Sequence, residues 1–202
     1  NFPPELYLPL FEFARINRIP MVALNVERSL TKAIGEKGWD NVPAADRAGL
    51  SRPAPALPAY RELLSSVYRE HLPGPRRVPG KPAPTDKAFE AFVDAQLTWD
   101  RAMAENLASR AVPGKAGSKP LLVGIMGSGH LRHGHDVAHQ LRALGFNQIA
   151  TLLPRSGDMF CNDLEPGLAD AVFNLPVAAI VPPQPPRLGV ALEDTAEGGV
   201  RV

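Results

Sequence analysis

Apolar positions recur at helical spacing in residues 5–15, where Leu6, Leu10, Phe13 and Ala14 share one face, and the pattern predicts an amphipathic helix. A short apolar run with β-branched content follows Pro20 at residues 21–26 and predicts a buried strand. Ser29 is placed to cap a second helix running to about residue 36, with Gly35 or Gly38 near its end. The Pro and Ala content of residues 40–58 predicts irregular chain. Residues 60–72 read as a third helix and residues 73–84 as another loop. The longest regular element is predicted over residues 86–110, capped by Thr85 or Asp86. Residues 121–126 form a continuous apolar run, predicted as a buried strand, and lead into the turn Gly127-Ser128-Gly129. A helix over residues 135–144 that stops at Gly145, and strands over 149–153 and 169–175, complete the pattern. Strands alternating with helices predict an α/β fold: a mostly parallel sheet with helices on both faces.

Composition narrows the classes. With 22 Lys+Arg against 21 Asp+Glu the net charge is +1, which gives no electrostatic case for a nucleic-acid partner. An apolar fraction of 45% excludes wholesale disorder. The single cysteine, Cys161, rules out an internal disulfide framework. No apolar run reaches the ~20 residues of a membrane span. The 22 prolines cluster at residues 53–58, 73–84 and 176–186, so they mark connections. The opening Asn-Phe-Pro-Pro-Glu contains no basic and apolar signal region, and the chain is expected to start after a removed segment.

Two places can carry chemistry. At 100° per residue, Phe89, Phe92, Val93, Met103 and Leu107 fall on one face of the long helix, with Gln96 and Asp100 inside that stripe. A carboxylate on a core face needs a partner. The alternatives are a structural pair with an Arg such as Arg28, and a polar pocket into which Gln96 and Asp100 point. The second place is His130-Leu-Arg-His-Gly-His-Asp-Val-Ala-His139, which holds four of the five histidines where a strand ends and a helix begins. Ligands of open α/β sheets bind at that position. His130 closes a Gly-x-x-His unit from Gly127, and its imidazole can ligate a metal or move a proton near neutral pH. His135 and His139 stand at i, i+4, a spacing that serves equally for metal ligands and for ordinary surface histidines. Gly124 to Gly129 resembles a dinucleotide-binding turn, but the next strand does not end in an acidic residue. Ser128 fails the Gly-x-Ser-x-Gly pattern because Met126 stands at its first position. Tyr7, Tyr60 and Tyr68 remain as structural tyrosines or as phenolates able to hold ferric haem iron.

Three stretches together carry a resemblance. They are Tyr7-Leu-Pro-Leu with Ala14-Arg15 and Val22-Ala-Leu-Asn25-Val-Glu-Arg28; Phe92-Val-Asp-Ala-Gln96-Leu-Thr-Trp99-Asp100-Arg-Ala-Met103-Ala104; and Val123-Gly-Ile-Met-Gly127-Ser-Gly129-His130 with Gly134. In that order, over residues 5–154, they resemble the ChaN family of haem-binding, iron-regulated bacterial proteins, within the superfamily of the Tiki and erythromycin-esterase proteins. The resemblance implies a cleft at the C-terminal ends of the sheet strands that holds haem or another small molecule. It also implies Arg28, Gln96, Asp100, Gly127, Gly129 and His130 as cofactor-binding positions, and Tyr7 as a candidate iron ligand. The family's distant relatives imply a divalent metal as the alternative cofactor. His130 would then be the metal ligand, helped by His133 or His135, and His130 with Asp100 would be the catalytic candidates of a metal-dependent hydrolase.

The family's domain usually opens with a strand bearing a Gly-Glu-x-His-type motif, absent from this chain, so residues 1–160 are expected to be an α/β domain incomplete at its N-terminus. His135 also stands where the family usually has glycine. Residues 161–185 are expected to be a Pro-rich linker. Residues 186–202, Pro186-Arg-Leu-Gly-Val-Ala-Leu and Gly199-Val-Arg-Val among them, resemble the start of a PDZ domain, a fold that captures peptide C-termini by strand addition. That implies a partner-binding role as a further alternative. By resemblance the protein belongs at the bacterial cell envelope, on the periplasmic face and lipid-anchored, and a bare sheet edge would favour a homodimer.

Overall fold

The computed structural model describes residues 7–71, 87–111, 120–157, 164–175, 193–194 and 200–201. The fold is α/β. Its helices are α1 (Leu8–Ile16), α2 (Arg28–Lys37), α3 (Pro58–His71), α4 (Lys87–Ala108) and α5 (Val137–Ala143). Strand β1 (Leu152–Ser156) pairs in parallel with β2 (Ala171–Leu175), in the register Leu152 to Ala171 through Ser156 to Leu175. A short antiparallel pair, β3 (Glu193–Asp194) and β4 (Val200–Arg201), follows.

Helix ends follow the local chemistry. α2 stops before Gly38, whose φ of +82° suits a residue without a Cβ and whose N–H donates to the Ile34 carbonyl at 2.7 Å. Gly145 closes α5 in the same manner, at φ +91° with its N–H on the Arg142 carbonyl at 2.9 Å.

α4 organises the interior. Tyr60 and Leu64 of α3 pack on its Phe89, Val93 and Leu97. Leu30 and Ile34 of α2 form a second cluster with Trp39 and Val42, against which Ala95 of α4 packs. Met103 and Ala104 meet Val137 of α5, with Leu24, Trp99 and Met126 around them. Such crowding buries nearly every residue of α4 from Leu97 to Ala104, and the fully covered Ala102 and Ala104 are small enough for close neighbours. One-face amphipathicity understates this helix, which is covered on several sides.

The Pro-rich strap between α2 and α3 is held down by side chains of α5. Gln140, wholly buried in α5, accepts from the Ala54 N–H at 2.8 Å and donates to the Ala54 carbonyl at 3.0 Å. His139 Nε2 meets the Pro55 carbonyl at 2.9 Å.

Several expectations meet a different outcome. Residues 21–26 and 121–126 carry the apolar content of strands, yet neither joins a ladder, because neither has a neighbouring strand among the described residues. In 121–126 the exposure still alternates. Leu121, Val123 and Ile125 are exposed, while Leu122, Gly124 and Met126 are half-buried. The parallel strand expected at 149–153 begins at Leu152. α1 begins at Leu8; among the described residues of its predicted face Ala14 is buried, while Leu10 and Phe13 are exposed. Leu6, the cap at Thr85 or Asp86, the loop at 73–84, Cys161, the end of the first domain at 160, most of the linker at 161–185 and the apolar stretch 188–192 lie outside the described residues.

Candidate functional site

Asp100 is the buried centre of the site, with no exposed surface. It projects from α4 towards two elements distant in sequence. Its Oδ2 accepts from the Tyr60 hydroxyl of α3 at 2.7 Å, and its Oδ1 lies 2.6 Å from His130 Nδ1. A carboxylate can only accept, so Nδ1 carries the proton and donates. Both oxygens are therefore taken by protein groups. Asp100 acts here by holding the imidazole, and leaves direct contact with a ligand to others.

His130 ends the turn Ser128–His130, where the chain leaves the 121–126 segment. Its N–H donates to the Gly127 carbonyl at 3.0 Å. The Trp99 indole approaches the ring edge-on, with centroids 5.4 Å apart, and itself donates through Nε1 to Asn25 Oδ1. Contacts from Trp99 and Asp100 thus fix the ring, while the Gly127 carbonyl fixes the backbone that bears it. Nε2 on the far side has no hydrogen-bond partner among the described residues, and the side chain keeps 18% of its surface exposed. Beside it Gly127 and Gly129 are exposed. A Cβ at Gly129 would meet nothing within 4 Å, and one at Gly127 only the His130 ring at 3.9 Å. The imidazole stands at the edge of open space.

Electrostatics reinforce the geometry. Burial pushes the His130 pKa down, but the hydrogen bond and negative charge of Asp100, with the charge of Asp136, outweigh it and leave the imidazole above its ordinary value. Burial, Asp100 and Asp136 together push the Tyr60 phenol far up, so it stays a neutral donor.

Asp136 is the member that the sequence does not reveal. It stands one residue before α5, where an Asp ordinarily caps the helix, yet its side chain makes no cap bond. It is 1% exposed, and its Oδ1 has no hydrogen-bond partner among the described residues. Burial and the Asp100 charge raise its carboxyl to about 7. Its proximity to Asp100 is tertiary, so local spacing could not signal it.

The other expected residues are dispersed. Gln96 is half-buried on α4 and Arg28 is exposed at the start of α2, and Arg28 does not pair with Asp100. Tyr7 precedes α1, 42% exposed, and its carbonyl accepts from Leu10 and Phe11. His133 adopts φ +58°, its N–H reaching the Leu168 carbonyl at 2.8 Å; its ring stacks on His135 at 5.6 Å and its Nε2 lies 3.6 Å from Glu165. Among the described residues no group of three or more His, Cys, Asp or Glu side chains could hold a metal ion. A cavity of about 300 Å³ lined by Trp39, Arg52, Pro55, Arg61, Glu90 and Asp94 includes neither His130 nor Asp100.

Fold and site define an α/β protein with a carboxylate-oriented imidazole at an open, glycine-flanked rim. Residues 1–141 match the family model described as haem-binding uptake, Tiki superfamily, ChaN, and the chain belongs to that family. The comparison with curated proteins and that with solved structures each found no match. The family match stops short of residues 186–202, so it lends the PDZ-like expectation no support. No described helix is long and apolar enough to cross a membrane.

Proposed function

We propose that this protein binds haem, and that His130 Nε2, at the rim between the Gly127–Gly129 turn and α4, would hold its iron. The observation that carries this is the Tyr60–Asp100–His130 chain. It fixes the tautomer that leaves Nε2 free and makes that nitrogen more basic, as carboxylate partners of metal-bound histidines do. The residues present fit the group: His130 Nε2 has no hydrogen-bond partner among the described residues, and a Cβ on the neighbouring Gly129 would meet nothing within 4 Å. Bound haem would supply an iron able to take a nitrogen donor. His130 provides that donor, Asp100 orients it, and Trp99 limits rotation of the ring. Tyr7 is proposed as a second iron ligand on the family resemblance, at a position that the described contacts leave apart from His130.

Titration with ferric haem should shift the Soret band at micromolar concentration, and His130→Ala should weaken the shift. Tyr7→Phe tests the second ligand separately. An unchanged Soret band with the wild-type protein would end this proposal.

The Asp–His pair favours one other reading, a hydrolase in which His130 acts as a general base oriented by Asp100. In a metal-dependent form His130 would be a ligand, with the remaining ligands supplied by groups other than Asp100. Metal analysis of the purified protein separates the two: a stoichiometric divalent ion, lost in His130→Ala, supports the hydrolase.

A further inference from the structure

The cavity of about 300 Å³ has a built wall and groups with unmet bonding capacity. Glu90, Val93, Asp94 and Leu97 of α4 stand at i, i+3, i+4 and i+7, so one face of that helix lines it. Arg61 of α3 and Arg52 and Pro55 of the strap complete the lining. The strap is pinned from α5, by Gln140 at Ala54 and by His139 at the Pro55 carbonyl, so its contribution is in place before a ligand arrives. The volume lies at the lower end of the range for small-molecule pockets, roughly 300–1,000 Å³, and suits a metabolite-sized guest.

Trp39, also in the lining, is 3% exposed, and its indole Nε1 has no hydrogen-bond partner among the described residues. A buried donor of that kind costs free energy until an acceptor reaches it. Asp94 Oδ2 accepts from the Trp39 backbone N–H at 2.8 Å, and the carboxylate pairs with no cation among the described residues. Arg61 engages Glu90, and Arg52 engages Asp40, each through Nη2. A guanidinium has five N–H donors, so both keep others for a second anion. Arg61 is held at Glu90, four residues and about 6 Å along the α4 axis from Asp94. The cavity therefore offers an uncompensated negative charge, spare cationic donors about one helical turn away, and the apolar surface of Val93, Leu97 and Pro55. A molecule that complements all three carries an ammonium and a carboxylate close together on an apolar body.

We propose that this cavity binds a free α-amino acid with an apolar side chain. Its ammonium pairs with Asp94, and its carboxylate accepts from Arg61 and from the Trp39 indole. Arg52 draws the anionic end towards the mouth, and the side chain rests on Val93, Leu97 and Pro55. The site includes neither His130 nor Asp100, so it stands or falls apart from the haem-binding function.

The chain has two tryptophans, so an isotope-labelled sample gives two indole N–H signals in NMR spectra, told apart with Trp99→Phe. Leucine titrated into the full chain at micromolar to millimolar concentration should move the Trp39 signal saturably and leave that of Trp99, beside His130, in place. Three analogues each lack one feature: leucinamide the carboxylate, N-acetylleucine the ammonium, and glycine the apolar body. Each should bind at least about tenfold more weakly, since a charged hydrogen bond or a buried side chain is lost. Asp94→Asn keeps an oxygen for the Trp39 N–H but loses the charge, and should weaken leucine binding by a similar factor. An unmoved Trp39 signal at millimolar leucine overturns the proposal, and so does unchanged leucine affinity in Asp94→Asn. Leucinamide or N-acetylleucine binding as tightly as leucine also overturns it, by showing that the cavity takes one end of a peptide instead. If Asp94→Asn does not fold, the analogue series on the wild type decides alone.

Discussion

The Asp100 carboxylate bridges Tyr60, forty residues before it, and His130, thirty residues after it, with one oxygen for each. The bridge ties α3 and α4 to the turn that bears the imidazole, at a point without solvent contact on the carboxylate. In so covered a place each partner's removal leaves a bare polar atom, and the consequences differ with which atom that is.

Tyr60→Phe removes the hydroxyl and leaves Asp100 Oδ2 without its donor while the ring still packs on Leu64 and Phe89. Urea unfolding should show a loss of about 1–3 kcal/mol, the usual cost of a buried unpaired acceptor. Haem affinity should fall less than in His130→Ala, since Oδ1 still holds the imidazole. An unfolding midpoint equal to wild type would contradict the bridge.

Asp100→Asn keeps the shape but removes the charge that raises His130. The His130 pKa should drop, because burial then acts with less opposition. NMR titration of the imidazole C–H signals measures it. A His130 pKa unmoved in the variant would show that the raising comes from elsewhere.

His130 sets a pH dependence of stability whose sign follows from its raised value. A histidine with a higher pKa folded than unfolded contributes stability below its unfolded pKa of about 6.5 and loses it as pH rises through the folded value. His130→Gln should therefore be more destabilising at pH 5.5 than at pH 9. Denaturant curves for both proteins at the two pH values check this.

Asp136 works in the opposite direction from the usual carboxylate. Its pKa is raised from 3.8 to about 7, so the folded state holds the proton more tightly. Stability from this group is present below pH 3.8 and declines until about pH 7, where the folded state also ionises. Asp136→Asn should become progressively more stable relative to wild type over that interval, by an amount on the order of 4 kcal/mol from the size of the shift. A pH-independent difference between the two proteins would rule this out.

Gln140→Ala should release the strap at Ala54, whose N–H and carbonyl both bond to that side chain. Two backbone groups lose partners and a buried volume opens, so a loss of about 2–4 kcal/mol is expected. Limited proteolysis should cut first between α2 and α3. Cutting elsewhere at the wild-type rate would show that the strap is held by other contacts.

The sequence by itself determined the helices, through apolar spacing and the glycines at 38 and 145, and it singled out Asp100 and His130 because a carboxylate in an apolar stripe and a Gly-x-x-His turn are both local patterns. Family membership was legible too, since it rests on short motifs in a fixed order. That 21–26 and 121–126 join no ladder among the described residues was not, because apolar content sets a preference for extended chain while a ladder needs a neighbour. Only the tertiary structure decided that Asp100 spends both oxygens inside the protein, that Tyr60 is one of its donors, and that Asp136 Oδ1 is buried without a partner among the described residues. Those facts depend on α3, α4 and the turns at 127–134 meeting in three dimensions. Burial and charge act through space, and residues thirty and forty positions apart carry no periodic mark of their encounter.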